Sequence, residues 1–416
     1  MRRWEQLKPA FLRRLARSHL AFGLAERALA LKHLPKEQDQ VLLRFALDLG
    51  EKLFAKDARG VGANIFFPAE LLYGLDIPPF YPEVASGLGA SLGMAEEGLA
   101  KAEAAGYPGD LCTFHRNAVG MKLRGLFPPL RAYVATSHIC DVAPQIMANF
   151  AYEDEVPFIL VDVPPERDEE SVDYVERQLE AAVEELCVAT GASFDIDRLR
   201  EAIRLSNQAR RYAIEVMELR RASPSPLRGS GMFGQLALIA FLFGSPHGVE
   251  YYRALRDYTH ELVERGASEQ ANQRYRLLWL HLKPYYPNQL LAHLEDELGA
   301  AIVFEEMSLV WWGELDERRP LRALAEKILS HPSLGPAKHR AEVVLKLARE
   351  FAVDGVVHFN HWGCHQSTGA LRIVRDRLRR EGIPFLEIDG DCVDGRNLQW
   401  GPLLTRIEGF IEMLEG

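Results

Sequence analysis

Apolar and polar positions change period repeatedly along this chain, and the changes divide it into alternating helices and strands. Residues 1–60 carry charged and apolar positions at helical spacing with few breakers, which predicts a helical N-terminal segment punctuated at its end by Gly60 and Gly62. Residues 64–67 form a short apolar run and are assigned to a strand. A helix follows from Pro68 through Gly74, and residues 79–106 read as a turn and a helix closed by Gly106. Residues 130–136 and 156–162 are apolar runs of strand length, the second stopped by Pro164 and Pro165. Residues 167–222 are mainly helical with one break at 190–196. Pro224, Pro226, Gly229 and Gly231 mark a seam, and residues 233–266 are helical again. The pattern then restarts, with strands at 275–281, 301–304, 355–359 and 383–388 and helices at 288–298, 320–350, 367–381 and 403–414.

Apolar strands alternating with helices predict parallel sheets. The expected fold class is α/β, with two doubly wound, Rossmann-like parallel-sheet domains and a helical N-terminal segment. The expected divisions are 1–60 (helical segment), 61–166 (first α/β domain), 167–228 (helical bridge) and 229–416 (second α/β domain).

Charge and composition narrow the partners. A formal net charge of -10 argues against non-specific nucleic-acid binding, which needs a basic face. The longest apolar stretch, residues 236–243, is too short to cross a bilayer. Neither nucleic acid nor membrane is therefore expected as a partner. Residues 1–20 alternate basic and apolar positions, but Glu5 interrupts them and they lack a continuous apolar core. They read as an ordinary amphipathic helix rather than a targeting segment. Five cysteines, an odd number without a signal-peptide pattern, point to a reducing cytoplasm, where thiols serve metals or catalysis more often than disulfides.

Three of those cysteines fall in short Gly/His/Asp-rich stretches at predicted strand ends: Cys112 in Asp110-Leu-Cys-Thr-Phe-His-Arg116, Cys140 in Ser137-His-Ile-Cys-Asp141, and Cys364 in His361-Trp-Gly-Cys-His-Gln366. They are too far apart for a local metal loop, but an open α/β fold gathers strand-end loops into one crevice. Three convergent thiolates leave one coordination position open on an iron or a zinc, as a reactive site requires. Cys187, between Leu186 and Val188 on an amphipathic helix, reads as core. Cys392 sits among Asp389, Asp391 and Asp394, which disfavour a thiolate. His115, His138, His361 and His365 crowd the same loops, where imidazole could ligate zinc or hydrogen-bond cluster sulfur or substrate. Glu305 and Glu306 end a strand and read as a base near the site or as a solvated loop. Residues 87–93 are glycine-rich but fail the dinucleotide spacing, and the chain has no P-loop, so ATP hydrolysis is not expected of it.

At these residues the chain resembles the 2-hydroxyacyl-CoA dehydratase family, which also holds the small subunits of benzoyl-CoA reductase. The resemblance rests on Phe67-Pro-Ala-Glu-Leu-Leu-Tyr-Gly74, on the Cys112 and Cys140 loops, and on a closing run that includes Gly382-Ile-Pro-Phe-Leu-Glu-Ile-Asp-Gly-Asp391, Arg396 and Asn397. It implies a 4Fe–4S cluster held by Cys112, Cys140 and Cys364. It implies an acyl-CoA substrate reduced to a ketyl radical so that its 2-hydroxyl can leave. It also implies a homologous second subunit or a self-dimer, and a separate ATP-hydrolysing iron–sulfur activator. Glu70 and Gln366 are then the candidate substrate-binding residues, and His115 and His361 the candidate acid–base residues. Two alternatives stand beside this reading. One is a homodimeric double-cubane cluster reductase of small molecules. The other is a non-catalytic zinc protein in which one histidine completes a tetrahedron with the three cysteines.

Overall fold

The computed structural model describes residues 34–415, so the amphipathic helix expected over residues 1–20, and residues 1–33 of the helical segment expected over 1–60, lie outside the described residues. Among the described residues, eight strands form two four-stranded parallel sheets. The first contains β1 (Val61–Ala63), β2 (Pro79–Phe80), β3 (Ala132–Thr136) and β4 (Phe158–Val161), in the order β2-β1-β3-β4. The second contains β5 (Tyr275–Leu280), β6 (Ala300–Glu305), β7 (Gly355–His361) and β8 (Phe385–Gly390), in the order β6-β5-β7-β8. Each sheet steps outward from its first strand and then reverses, so each has a switch point where loops at the carboxyl ends part and leave a crevice.

The strands are apolar on both faces because helices cover both. In the second sheet, Leu277, Trp279, Val357 and Phe359 face the core closed by Ile407 and Phe410, while Leu278, Leu280 and Val356 face the core closed by Val344, Leu345 and Val374. This side-to-side alternation follows from the two-residue repeat of a strand. Helices Glu169–Thr190 and Ile196–Leu219 run where a long amphipathic pattern with one break is expected. They share the first core with Val310, Trp312, Leu324 and Ile328, so residues beyond β6 return across the molecule to pack on the first unit.

Several local expectations are corrected. Residues 64–67 are not a strand. The strand is Val61–Ala63, and Asn64 ends it by exchanging hydrogen bonds with Thr136: the Thr136 N–H donates to Asn64 Oδ1 at 3.0 Å, and Asn64 Nδ2 donates to Thr136 Oγ1 at 3.2 Å. Gly62 lies inside β1 rather than before it, because a Cβ there would sit 2.4 Å from the Tyr133 ring. The edge strand β2, two residues long, has no periodicity to announce it. Glu305 and Glu306 are neither a solvated loop nor a free base. Glu305 takes two hydrogen bonds from Arg220, at 2.9 and 2.7 Å, and Glu306 takes two from Arg340, at 2.6 and 2.7 Å, all between buried groups.

The Arg220–Glu305 pair ties the end of the long bridging helix to β6. Breaking one member strands a buried charge. Arg220→Met is expected to cost about 3–5 kcal/mol in urea denaturation, and replacing Glu305 by Leu in the same chain should recover most of it, since a buried pair is often no more stable than an apolar replacement.

Candidate functional site

The three cysteines of the loop motifs converge on one cavity of about 550 Å³ between the two sheets, and Cys112, Cys140 and Cys364 all line it. Cys140 and Cys364 hold matching places: each follows the third strand of its sheet, and each is preceded by a residue in the left-handed region, Ile139 at φ 72° and Gly363 at φ 72°. That conformation is costly for a β-branched residue. Cys112 departs from expectation, because it follows no strand. It stands immediately before helix Thr113–Leu123, in the connection after helix Ala95–Ala104.

All three sulfurs meet the same kind of surroundings. Each cysteine directly precedes or nearly precedes a helix, and N–H groups two and three residues onward point at its sulfur: Phe114 and His115 for Cys112, Val142 and Ala143 for Cys140, Gln366 and Ser367 for Cys364. Such donors favour a thiolate. Burial works the other way and is the larger effect. It pushes the Cys112 thiol up strongly, with Cys364 and Cys140 adding to the rise, pushes Cys140 up to about 12, and raises Cys364. Each sulfur also faces one imidazole: Cys112 faces His361 at 3.4 Å, Cys140 faces His115 at 3.4 Å, and Cys364 faces His281 at 3.7 Å. Burial lowers all three histidines, His115 to about 4, so the rings are neutral at pH 7.

The loops are locked to one another. A Cβ on Gly363 would stand 2.9 Å from the Asp110 carbonyl and 3.1 Å from Cys112 Cα, so only glycine lets these two cysteine loops touch. Thr113 donates to Asp391 at 2.6 Å, joining the Cys112 helix to the turn after β8. Arg340 donates to Glu306 and, at 3.1 Å, to the Gln366 carbonyl, while Glu306 accepts the His281 N–H at 3.1 Å. One buried ion pair thus supports both the Cys364 helix and the histidine opposite its sulfur. Among the described residues, no three His, Cys, Asp or Glu side chains are placed to hold a single metal ion.

Other expected site residues divide. Gln366, His115 and His361 line the cavity. Glu70 does not line it. Its carboxylate is buried in an ion pair with Lys327 at 2.6 Å and accepts from Ser206 at 2.7 Å, which makes it a strut between helices rather than a substrate ligand. His138 packs against Phe66 and His331, and the exposed His365 pairs with Asp141 at 2.8 Å. Cys187 is remote, in the core of the bridging helices. Cys392 is buried in the second core and donates its backbone N–H to His361.

Two lining residues escaped the sequence reading. His281 directly follows β5 with no surrounding motif, although a histidine just past a strand's carboxyl end was a signal available in an α/β chain. Glu83, at the start of helix Pro82–Ser91, is buried on the cavity wall. One of its oxygens accepts the Ile65 N–H at 3.4 Å and the other has no protein partner. Burial raises its carboxyl to about 7.

The model of the 2-hydroxyglutaryl-CoA dehydratase D-component family matches residues 64–414, nearly the whole described chain. The chain belongs to this family. As a family member it is a 2-hydroxyacyl-CoA dehydratase-like enzyme. It is similar to the (R)-phenyllactyl-CoA dehydratase alpha subunit of Clostridium sporogenes, with 26% identity covering 84% of this chain and 88% of the relative. The (R)-2-hydroxyisocaproyl-CoA dehydratase alpha subunit of Clostridioides difficile is 25% identical over 86% of this chain and 91% of its own. A benzoyl-CoA reductase subunit of Thauera aromatica is 26% identical over 76% and 79%. No helix of the described residues is long and apolar enough to cross a membrane.

Glu83 gives this dehydratase-family cavity a pH signature. Its folded pKa lies above the ordinary carboxyl value of 4.5, so the folded chain holds the extra proton between pH 4.5 and 7 and stability falls as pH rises through that window. Glu83→Gln removes the penalty. In the iron-free protein it should raise unfolding stability by up to about 3 kcal/mol at pH 8 and by little at pH 5, followed by urea denaturation at both pH values.

Proposed function

We propose that this chain is the iron–sulfur subunit of a radical enzyme acting on acyl-CoA thioesters, by 2-hydroxyacyl-CoA dehydration or benzoyl-CoA-type reduction. The observation that carries the reading is the trio Cys112, Cys140 and Cys364, each with helix-start N–H groups aimed at its sulfur and all facing one cavity. Those donors are wasted on neutral thiols and match thiolates bound to metal. The three cysteines would hold a 4Fe–4S cluster. Once bound, such a cluster supplies one-electron reduction and an iron free to polarise a carbonyl oxygen.

The chain's own residues supply the remainder. Phe66, Val84, Phe114, Leu236 and Met307 line the cavity and exclude water around the acyl group. Glu83 lies on the cavity wall with one oxygen held by the Ile65 N–H and the other buried without a protein partner, which makes it the chain's acid–base group for a proton on the substrate's carbon chain or its leaving hydroxyl. Gln366 offers an amide to a substrate oxygen.

The relatives are each named as one subunit of a larger enzyme, which supports a second, homologous subunit or a self-dimer. A separate ATP-hydrolysing activator completes the proposed system, as the family resemblance implies. Five unpaired cysteines fit a reducing cytoplasm.

Anaerobic reconstitution tests the reading. The wild-type chain should take up about four irons and as many acid-labile sulfides. Cys112→Ser, Cys140→Ser and Cys364→Ser should each lose most of that iron, and Cys187→Ser none. Equal retention in all four variants would refute the ligand set, and a wild-type chain that stays colourless and iron-free would refute the cluster.

A further inference from the structure

The three imidazoles are distributed one per sulfur, and they cross between loops. His361 ends β7 but serves Cys112. His115 sits on the Cys112 helix but serves Cys140. His281 follows β5 and serves Cys364. No loop therefore carries its own pair: His361 and His115 each bind one cysteine loop to another, and His281 binds the end of β5 to the Cys364 loop.

The direction of one of these bonds is fixed by the structure. The Cys392 backbone N–H donates to His361 Nδ1 at 3.1 Å. A neutral ring that accepts at Nδ1 carries its proton on Nε2. His361 Nε2 is the atom 3.4 Å from Cys112 Sγ, so the ring donates to the sulfur. For His115 and His281 the Nδ1 atoms are buried without a protein partner. Only the Nε2–H form of those rings satisfies a thiolate, which accepts and has no proton to give. His281 is also held under strain for the purpose: it lies at φ 65°, with its N–H bound to Glu306 and the Glu306–Arg340 pair behind it.

We infer that His361, His115 and His281 are positioning residues that donate Nε2–H to the thiolates of Cys112, Cys140 and Cys364 and thereby raise the reduction potential of the cluster those thiolates would hold. This rests on the cluster reading above and replaces the acid–base role expected for His115 and His361. The physical basis is charge. Reduction adds an electron that spreads onto the sulfurs, and an N–H···S bond strengthens as the sulfur becomes more negative, so losing the donor disfavours the reduced state. The histidines make no bond to iron in this assignment, because each Nε2 is committed to a sulfur.

The test is an anaerobic potentiometric titration of the reconstituted protein followed by EPR. His361→Phe should keep its iron and shift the midpoint to more negative potential. The expected size is at least a tenfold fall in the ratio of reduced to oxidised cluster at fixed potential, about 59 mV for one electron. His361→Gln, whose amide N–H replaces the donor, should recover a substantial part of the shift. Should a Phe variant fail to load iron, the wild-type protein labelled with 15N-histidine decides. Pulsed EPR of its reduced cluster should show weak 15N couplings, as for hydrogen bonds through sulfur. Unmoved midpoints in the loaded His115→Phe, His281→Phe and His361→Phe variants would overturn the inference while leaving the cluster in place. So would absent 15N couplings, or strong ones of the kind direct iron ligation gives. A wild-type chain that binds no iron would take down both readings together.

Discussion

Three thiols buried within electrostatic reach of one another set the terms for the rest of this molecule. Burial raises every one of them, and for Cys112 the other two sulfurs add to the rise. Left alone, the trio is a set of inert neutral groups. Yet the surrounding backbone is arranged for anions, with helix-start N–H groups aimed at each sulfur and a neutral imidazole against each one. The conflict between burial and donor geometry resolves when positive charge sits among the sulfurs, because metal ligation deprotonates a thiol outright.

The fold holds that arrangement against its own cost. Two sheets of the same strand order present their carboxyl ends to one cavity, and the loops after β3 and β7 adopt the same left-handed step before their cysteines. Holding Ile139 and His281 at positive φ costs on the order of 1–3 kcal/mol each and needs rigid surroundings. Those are supplied by deep charge pairs. Glu306–Arg340 anchors both the His281 backbone and the Cys364 helix, and Arg220–Glu305 fixes the adjacent end of β6 to the bridging helix. Gly363 lets the Cys112 and Cys364 loops touch, which no side chain would permit.

Much of this was legible in the sequence because it is written locally. The buried strands of the second sheet are continuous apolar runs, and the helices Glu169–Thr190 and Ile196–Leu219 keep an apolar stripe that breaks once between them. The cysteine loops stand out by their polar and small neighbours. What was not legible depends on partners distant in the chain. Glu305 and Glu306 look like a solvated acidic pair until Arg220 and Arg340, 85 and 34 positions away, close on them. Glu70 looks like a site residue by its motif, but Lys327 and Ser206, from two distant helices, absorb its carboxylate. Glu83 reads as an ordinary acid in the first turn of a helix, and only the closing of the cavity over it reveals a buried carboxyl with a free oxygen. The strand β2 is too short to carry any pattern, and Asn64 ends β1 through a bond to Thr136, 72 positions on.

The central claim is that the three cysteines hold one cluster with an open iron. Mössbauer spectroscopy of the protein reconstituted with 57Fe tests it most directly. The account predicts a single cluster of about four irons in which three share cysteine ligation and one differs, an intensity ratio of about three to one. A spectrum of one isolated iron, or of a cluster in which all irons are equivalent, would contradict it.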